Sequence, residues 1–187
     1  MRLMYKKWLM SLGLIMMFCT GCAMSQPDVL TYAKHSLDID CYNASDVKVK
    51  YGSYNVPGRN NREVYNERNI CRDKIQYDEK HSPSLTGMYH GFEGTLRIQW
   101  HALDDSVIDT VINLDELFPN KVIPHKEDPK RIYWPIPTPR LPFIVIEVNN
   151  RTLNIYSDVD IILLPEDRNV SNKKSHRNRT LVFSKTY

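Results

Sequence analysis

Short runs of alternating apolar and polar residues recur along the chain, which is the period-two pattern of β-strands that bury one face. The clearest run is Thr95–His101, with Leu96, Ile98 and Trp100 on one face and polar side chains on the other. An Asp-Asp-Ser turn follows, and Val107–Leu114 returns with an apolar face of its own. With these two strands, the predicted total is about eight short strands. The six weaker runs are at residues 37–42, 47–51, 143–148, 151–156, 159–164 and 181–183.

Two pairs of these runs predict hairpins. Leu37–Tyr42 alternates as a half-buried strand, and turn residues at 43–46 connect it to Val47–Tyr51. The runs 143–148 and 151–156 flank Asn149-Asn150, and asparagine tolerates the positive φ of a tight turn. Val159–Leu164 is continuously apolar, as expected of a separate central strand.

The remaining segments predict loops and little helix. Gly52–Asn69 is rich in Asn, Arg, Gly and Tyr, which is typical of a long surface loop. Pro124–Pro142 contains six prolines, which cannot donate to a sheet ladder, so it is expected to be extended or at an edge. Arg168–Arg179 carries five basic residues and is interpreted as either a disordered tail segment or a long loop, and residues 115–118 suit one helical turn before Pro119. The chain is therefore predicted to be all-β, a single-domain antiparallel β-sandwich with long loops and little helix.

Residues 1–21 have the pattern of a secretory signal peptide. Arg2, Lys6 and Lys7 precede an apolar run over residues 8–18, which is about half the roughly 20 residues needed to cross a bilayer. The Thr-Gly-Cys sequence ending at Cys22 resembles the lipobox of bacterial lipoproteins, although Cys19 stands where that family usually has Leu, Val or Ile. The resemblance implies that Cys22 is lipidated and becomes the first mature residue. A plain signal peptide cut nearby, or an uncleaved anchor, is the alternative.

The lipoprotein resemblance also implies a location. Residues 22–28 are short and polar and suit a tether that spans about 20 Å when extended. Residue 23 is alanine rather than aspartate, and by resemblance to lipoprotein sorting in enterobacteria this favours the outer membrane, with the protein facing the periplasm. The lipid would hold the chain at the membrane, and residues 29–187 would form the folded domain.

The charge balance excludes one class of partner. The 187-residue chain carries 25 basic and 22 acidic residues, but three basic residues leave with residues 1–21. The remaining 166 residues are enough for one domain with its own core, and they carry 22 charges of each sign. Because no global basic field remains, nucleic acid is not expected to be a partner, and overall charge is not expected to recruit the chain to an anionic membrane.

The cysteine count agrees with export. Of the four cysteines, Cys19 leaves with the signal and Cys22 is modified, so Cys41 and Cys71 remain as an even pair in an oxidising compartment. A disulfide between them is predicted, with two unrelated buried thiols as the alternative. No second cysteine or histidine stands at ligand spacing beside either one, so no metal site is expected there.

Familiar catalytic motifs are missing from the sequence. It has no Gly-x-Ser-x-Gly elbow, no His-Glu-x-x-His zinc pair and no Asp-x-Asp-x-Asp-Gly calcium loop. His101 is interpreted as a solvent-facing strand residue next to a turn, rather than as a general base or a metal ligand. Glu147 is interpreted as a polar residue on a half-exposed strand face, rather than as a catalytic acid. We therefore expect no enzymatic activity, no cofactor and no metal.

Two loops combine tyrosine, tryptophan and arginine, the residue types that dominate protein-interface hot spots. In the proline-rich segment, the prolines limit the entropy lost on binding. Tyr133 and Trp134 have the alternative role of capping the core. The candidate partner-binding residues are Tyr54, Arg59, Arg62 and Tyr65 in the long loop, with Tyr133, Trp134 and Arg140 in the proline-rich segment.

Several segments together resemble small lipoproteins that act as immunity proteins for type VI secretion effectors, particularly phospholipase effectors. The Thr-Gly-Cys sequence, Cys41–Tyr51 and Gly94–Trp100 with its Asp-Asp-Ser turn carry the resemblance. It implies a periplasmic protein that binds a toxic effector, a lipase, and blocks its active site, and it transfers no functional residue. A structural lipoprotein subunit of an envelope or secretion complex is the alternative. A third interpretation of its function is a hydrolase whose active site has no recognised motif.

Overall fold

The computed structural model of the chain describes residues 29–56, 71, 87–92, 94–166 and 173–187. These residues are mostly in strands, so the predicted all-β class is confirmed. We label the nine strands of this part of the chain β1 (Lys34–Tyr42), β2 (Ser45–Tyr51), β3 (Tyr54–Val56), β4 (Tyr89–His90), β5 (Thr95–His101), β6 (Val107–Asn113), β7 (Phe143–Asn149), β8 (Thr152–Leu163) and β9 (Lys174–Thr186).

Helix is limited to three short pieces in the described residues. α1 (Leu114–Leu117) is the single helical turn predicted from the sequence, and it ends before Pro119. Two 3-10 helices follow, Pro119–Lys121 and Pro129–Arg131. Within the described ranges, no helix has the length and apolar character needed to cross a membrane.

The strands form two sheets that pack together as a sandwich. The first sheet has the order β4-β1-β7-β8-β9 and the second the order β3-β2-β5-β6. Neighbouring strands are antiparallel except β1 and β7, which run parallel from the Ser36–Phe143 pair to the Tyr42–Asn149 pair. The predicted antiparallel pairing is therefore found in every described pair of neighbouring strands except β1 and β7.

The pairing and the burial of β1 both differ from the sequence prediction. β1 does not form a hairpin with β2, because Asn43 and Ala44 carry the chain from the first sheet to the second. β1 is also buried on both faces, since Asp38 is only 2% exposed and Asp40 only 7%. The alternating pattern was misleading because it records side-chain polarity, whereas burial depends on what covers each face of the sheet.

Two strands of the first sheet are longer than predicted. β8 runs without interruption over 12 residues and so joins two strands that were predicted separately. The basic run that was expected to be a tail or a loop instead provides the first part of the 13-residue β9, while residues 167–172 lie outside the described ranges. A strand is possible here because Arg177 finds a counter-ion on β8, Asp158, at 2.5 Å.

Two hairpins occur as predicted. β5 and β6 pair antiparallel around the Asp-Asp-Ser turn, with the three apolar side chains of β5 fully buried. β7 and β8 also form a hairpin, but Asn149 pairs with Thr152, which moves the two-residue loop to Asn150-Arg151. Of these loop residues only Asn150 has a positive φ, of 50°.

The proline-rich segment continues the first sheet along β8, beyond the point where β7 begins. β7 pairs with β8 only as far as Asp158, and beyond it the Tyr133 amide donates to the Ile162 carbonyl at 2.9 Å. The Ile162 amide in turn donates to the Pro137 carbonyl, also at 2.9 Å. The prolines therefore lie in irregular backbone beside the part of β8 that does not pair with β7, where few backbone donors are required.

The inner faces of both sheets meet in one hydrophobic core. Its largest fully buried side chains include Trp100, Tyr51, Tyr32 and Phe118. The Tyr32 hydroxyl donates to Ser157 Oγ at 2.6 Å, so this buried polar group keeps a hydrogen bond. Burial of apolar surface of this kind is the main favourable term in folding.

The predicted disulfide between Cys41 and Cys71 is present, with the two Cα atoms 5.6 Å apart. Two backbone hydrogen bonds reinforce it. The Cys71 amide donates to the Ala44 carbonyl at 2.8 Å, and the Asn43 amide donates to the Cys71 carbonyl at 3.2 Å. The bridge therefore ties residue 71 to the connection between the two sheets.

Reduction of this disulfide is expected to lower the free energy of unfolding by about 3 to 4 kcal/mol, because the bridge restricts the unfolded chain. Urea unfolding of the mature chain with and without a reductant measures the effect. A Cys41→Ala/Cys71→Ala variant is the control, since its stability should match that of reduced wild-type protein and should not respond to the reductant. Equal stabilities of oxidised and reduced wild-type protein would contradict the prediction.

Candidate functional site

Of the partner residues predicted from the sequence, those that the structure describes do not all lie in one place. Trp134 and Arg140 line a common groove beside the start of the domain. Tyr54 lies on β3 and is 53% exposed, and its ring centroid is 6.1 Å from that of Tyr89 on β4. The other candidates, which are Cys22, Arg59, Arg62 and Tyr65, lie outside the described residues.

The two aromatic residues of the proline-rich segment have different surroundings. The Tyr133 ring lies under Lys173, whose Nζ is 3.3 Å from the ring centroid, a cation–π contact. The Trp134 ring packs partly against the core, and its Nε1–H donates to the Pro129 carbonyl at 3.1 Å. Trp134 therefore has the capping role that was the alternative interpretation, and it lines the groove as well.

We call this cavity of about 550 Å³, between the start of the domain and the proline-rich segment, the proximal groove. Its lining is mainly apolar and includes Val29 and Trp134. Lys34 and Arg140 add two cations, and Arg140 Nε lies 3.7 Å from Asp160 Oδ2 in a long contact that leaves the arginine side chain 71% exposed. The groove therefore combines apolar surface with basic side chains.

Strand directions place the proximal groove at one end of the sandwich. β1 begins at Lys34, beside the groove, and is nine residues long, ending at Tyr42. At about 3.3 Å per residue, the two ends are roughly 25 to 30 Å apart. Three chain reversals meet at the far end, and we call them the distal turns: residues 43–44, 102–106 and 150–151.

Asn150 holds the distal turns of the two sheets together. Its carbonyl accepts a hydrogen bond from Trp100 Nε1–H at 2.6 Å, and its side-chain Oδ1 accepts one from the Leu103 amide at 3.0 Å. Its own amide donates to the Tyr42 carbonyl at 3.0 Å. The β7–β8 loop is thereby bonded both to its own sheet and to the opposite one.

Arg151 adds charged contacts to the same turns. Its guanidinium donates to Asp104 Oδ2 at 2.7 Å, to Ser106 Oγ at 3.3 Å and to the main-chain oxygen of Tyr187. Hydrogen bonds from Ser106, and then from Arg151, lower the pKa of Asp104. Beside this ion pair the Leu103 side chain is 46% exposed. The distal turns thus present an apolar residue next to a pair of oriented charges.

The local sequence predicts the distal turns only as chain reversals. Asp104 and Asn150 were predicted to form turns, but nothing in the local sequence indicates that Asn150 and Leu103, 47 residues apart, are in contact. The local feature that could have indicated a binding role is Leu103, because an apolar residue at the start of a polar turn has no obvious role in forming the turn.

Arginines of β9 pair with buried carboxylates on the outward face of the first sheet. Arg177 binds Asp158 with Nε and Nη2 at 2.9 and 2.5 Å, and its hydrogen bond to that carboxylate raises the pKa of Arg177. Arg179 Nη2 lies 3.1 Å from Asp40 Oδ2, and its guanidinium carbon lies 4.6 Å from the Tyr156 ring centroid. These contacts hold β9 on β8 and β1, so we assign them a structural role.

The prediction that Glu147 lies on a half-exposed strand face is wrong, because the residue is only 3% exposed. Its Oε1 accepts hydrogen bonds from Asn154 Nδ2 at 2.9 Å and from the Tyr156 hydroxyl at 3.3 Å. Burial, and then the nearby Glu147 charge, raise the pKa of Tyr156 to about 12. The prediction was wrong because both faces of β7 are covered.

His35 lies fully buried among aromatic rings near β4. Its ring centroid is 5.9 Å from that of Tyr32, 5.8 Å from Tyr51, 5.7 Å from Tyr89 and 5.5 Å from Phe92. Neither ring nitrogen has a hydrogen-bond partner in the described part of the chain. Burial lowers the pKa of His35 to about 4, so the side chain is neutral at neutral pH and packs like another ring.

The exposed groups of the two ends suit non-covalent recognition. His101 is partly exposed on the outward face of β5, in agreement with its interpretation as a strand residue beside a turn. No group of three His, Cys, Asp or Glu side chains in the described ranges is arranged to hold a metal ion. Apolar side chains surrounded by polar and charged ones are the usual arrangement of a binding surface.

Comparisons of the chain with protein-family models, with curated proteins and with solved structures found no match. Function is therefore inferred from the residues and from their geometry.

The buried His35 predicts a loss of stability in acid. Its pKa is about 4 in the folded chain and about 6.5 when exposed, so between these pH values the unfolded chain binds a proton that the folded chain does not. The stabilising effect of neutral His35 is complete above pH 6.5 and is lost as the pH falls towards 4, by about 2 to 3 kcal/mol.

Urea unfolding of wild-type protein and of a His35→Leu variant over this pH range measures the effect. The variant removes the histidine but keeps the carboxylates that titrate in the same range, so the difference between the two curves isolates His35. Parallel curves for the two proteins would show that His35 does not titrate as predicted.

Proposed function

We propose that this chain is a membrane-anchored periplasmic lipoprotein that binds a toxic secreted effector and neutralises it. The partner we expect is a phospholipase effector of a type VI secretion system, as the family resemblance implies. The observation that supports the proposal most directly is the hydrogen-bonded cluster of distal turns, at the end of the sandwich opposite Val29.

The tether would hold the distal turns away from the membrane. Residues 22–28 reach about 20 to 25 Å at most, and they lead directly into the end of the domain that carries the proximal groove. The length of β1 then separates the distal turns from that end. An effector that enters the periplasm would therefore meet the distal turns as the most accessible end of the anchored domain.

The distal turns also suit binding because they are ordered before a partner arrives. Turns that are already joined by hydrogen bonds lose little conformational entropy in a complex. Leu103 would supply apolar contact, and the Arg151–Asp104 ion pair would favour a partner with complementary charge. Neutralisation requires only that the complex covers the effector's active site, so it needs no catalytic group in this chain.

Lipidation of Cys22 is the first testable part of the proposal. Mass spectrometry of protein purified from bacterial membranes should show an acylated Cys22 as the first residue, and a Cys22→Ala variant should leave the membrane fraction. Cys19→Leu is the matched control, because leucine is usual at that lipobox position and the variant should fractionate like wild-type protein. An unacylated Cys22 on a cytosolic product would overturn the anchor.

Protection against a toxin tests neutralisation. The chain should prevent killing when it is co-expressed in the periplasm with a candidate toxin encoded beside its gene, and the two proteins should co-purify. Leu103→Asp places a charge among the distal turns and should weaken the complex by at least about tenfold, as the loss of a central interface residue does. Pull-down and dose-dependent survival measure the change.

Val111→Asp is the matched control for this variant. Val111 is 56% exposed on the outward face of β6, opposite Arg97 and several residues from the distal turns, so binding should stay at the wild-type level. Undiminished killing, with no complex on pull-down, would overturn the immunity proposal. Stable association with other envelope proteins, without protection, would instead support the role of a structural subunit.

A further inference from the structure

We propose that the proximal groove binds the headgroup of an anionic phospholipid in the membrane that carries the anchor. This inference rests on the lipid anchor of the proposed function but not on effector binding. It would hold the domain on the membrane surface in one orientation, with the distal turns facing away. Position, charge and apolar exposure at the groove support it independently.

The groove lies where the anchored chain enters the domain. Val29, the first residue of the described chain, lines it, and only the six residues 23–28 separate Val29 from Cys22. Even fully extended, this link reaches about 25 Å, which does not exceed the separation of roughly 25 to 30 Å between the two ends of the sandwich. The groove would therefore be the feature of the domain that stays closest to the lipid headgroups.

The charges of the groove complement a phosphate headgroup. Lys34 and Arg140 both line it, and within the described residues Lys34 makes no ion pair. Arg140 has one ion-pair contact there, to Asp160, but at 3.7 Å it is too long for a good hydrogen bond and leaves the guanidinium available. Lysine and arginine close to a membrane each add affinity for anionic lipids.

Apolar residues at the groove suit the boundary between headgroups and acyl chains. Val29 is 44% exposed, and Ile136, which lies between two lining residues of the proline-rich segment, is 57% exposed. The half-buried Trp134 ring forms part of the wall. Tryptophan, exposed aliphatic side chains and cations together are the composition of surfaces that lie in the membrane interface. The volume of about 550 Å³ is also within the roughly 300 to 1,000 Å³ of ligand-sized sites.

Vesicle binding tests the proposal on the mature chain with Cys22→Ala, so that the acyl anchor does not dominate the measurement. Cosedimentation with vesicles of equimolar phosphatidylglycerol and phosphatidylcholine should exceed that with phosphatidylcholine alone, and it should weaken as salt screens the charges. The fluorescence of Trp134 should shift to the blue on binding. The other tryptophan of the mature chain, Trp100, is fully buried and should not respond.

Paired charge variants separate the groove from net charge. Lys34→Gln/Arg140→Gln should reduce affinity for phosphatidylglycerol vesicles by at least about tenfold. Lys48→Gln/Lys50→Gln is the matched control, because it removes the same charge from exposed positions of β2 in the second sheet and should leave affinity almost unchanged. All four side chains are exposed or at a groove rim, so folding should be unaffected, and circular dichroism checks this.

Several results would overturn the proposal. Equal binding to both kinds of vesicle, or equal losses in the two double variants, would show that the groove does not recognise an anionic headgroup. Direct binding of inorganic phosphate that is lost in Lys34→Gln/Arg140→Gln, without any vesicle binding, would assign the groove to free phosphate. Loss of effector binding rather than vesicle binding in Lys34→Gln/Arg140→Gln would assign it to a protein partner. Because Leu103→Asp should affect only the effector complex, failure of this proposal is distinguishable from failure of the immunity proposal.

Discussion

The pairing of Arg177 and Arg179 with buried carboxylates is the interaction on which the first sheet depends. Asp158 is 3% exposed, and a buried carboxylate without a counter-ion would cost several kcal/mol. Arg177 supplies three hydrogen bonds to it, and Arg179 reaches on to Asp40 of β1. The backbone of β9 pairs with β8 from Thr152 to Leu163, so β8 is not a 12-residue edge with unpaired backbone groups.

A sheet secured in this way separates two ends of different chemistry. At the end where the chain enters, an apolar groove carries cations, Lys34 and Arg140. At the other end, Asn150 and Arg151 join turns of both sheets through hydrogen bonds and an ion pair. β1 connects the two ends as a strand that is buried on both faces, so the distance between them is set by rigid structure rather than by a flexible loop. The two proposed roles, membrane contact at one end and partner binding at the other, are consistent with this arrangement.

Local sequence patterns predicted best where a strand has one buried face and a near neighbour in the chain. β5 and β6 meet both conditions, and their faces and connecting turn agree with the prediction, while β6 ends one residue earlier than predicted, at Asn113. β1 meets neither condition, and β9, although its neighbour β8 directly precedes it in the chain, has no buried face. β1 pairs with β7 about a hundred residues further along the chain, and its aspartates are covered rather than exposed. In β9 a basic sequence becomes a strand because its counter-ions lie on β8 and β1, which no reading of the segment alone could reveal.

By itself the sequence determined the β-rich class, the two tight hairpins, the single helical turn and the cysteine pair that forms the disulfide. These depend on residue periodicity, turn chemistry and counting, which are properties of short segments. The tertiary structure alone decided which sheet each strand joins, which acidic residues are buried, and that Trp134 and Arg140 lie at the opposite end from Leu103 and Arg151. The physical reason is that pairing and burial depend on contacts between residues far apart in the chain, such as Arg179 and Asp40 at a separation of 139 residues.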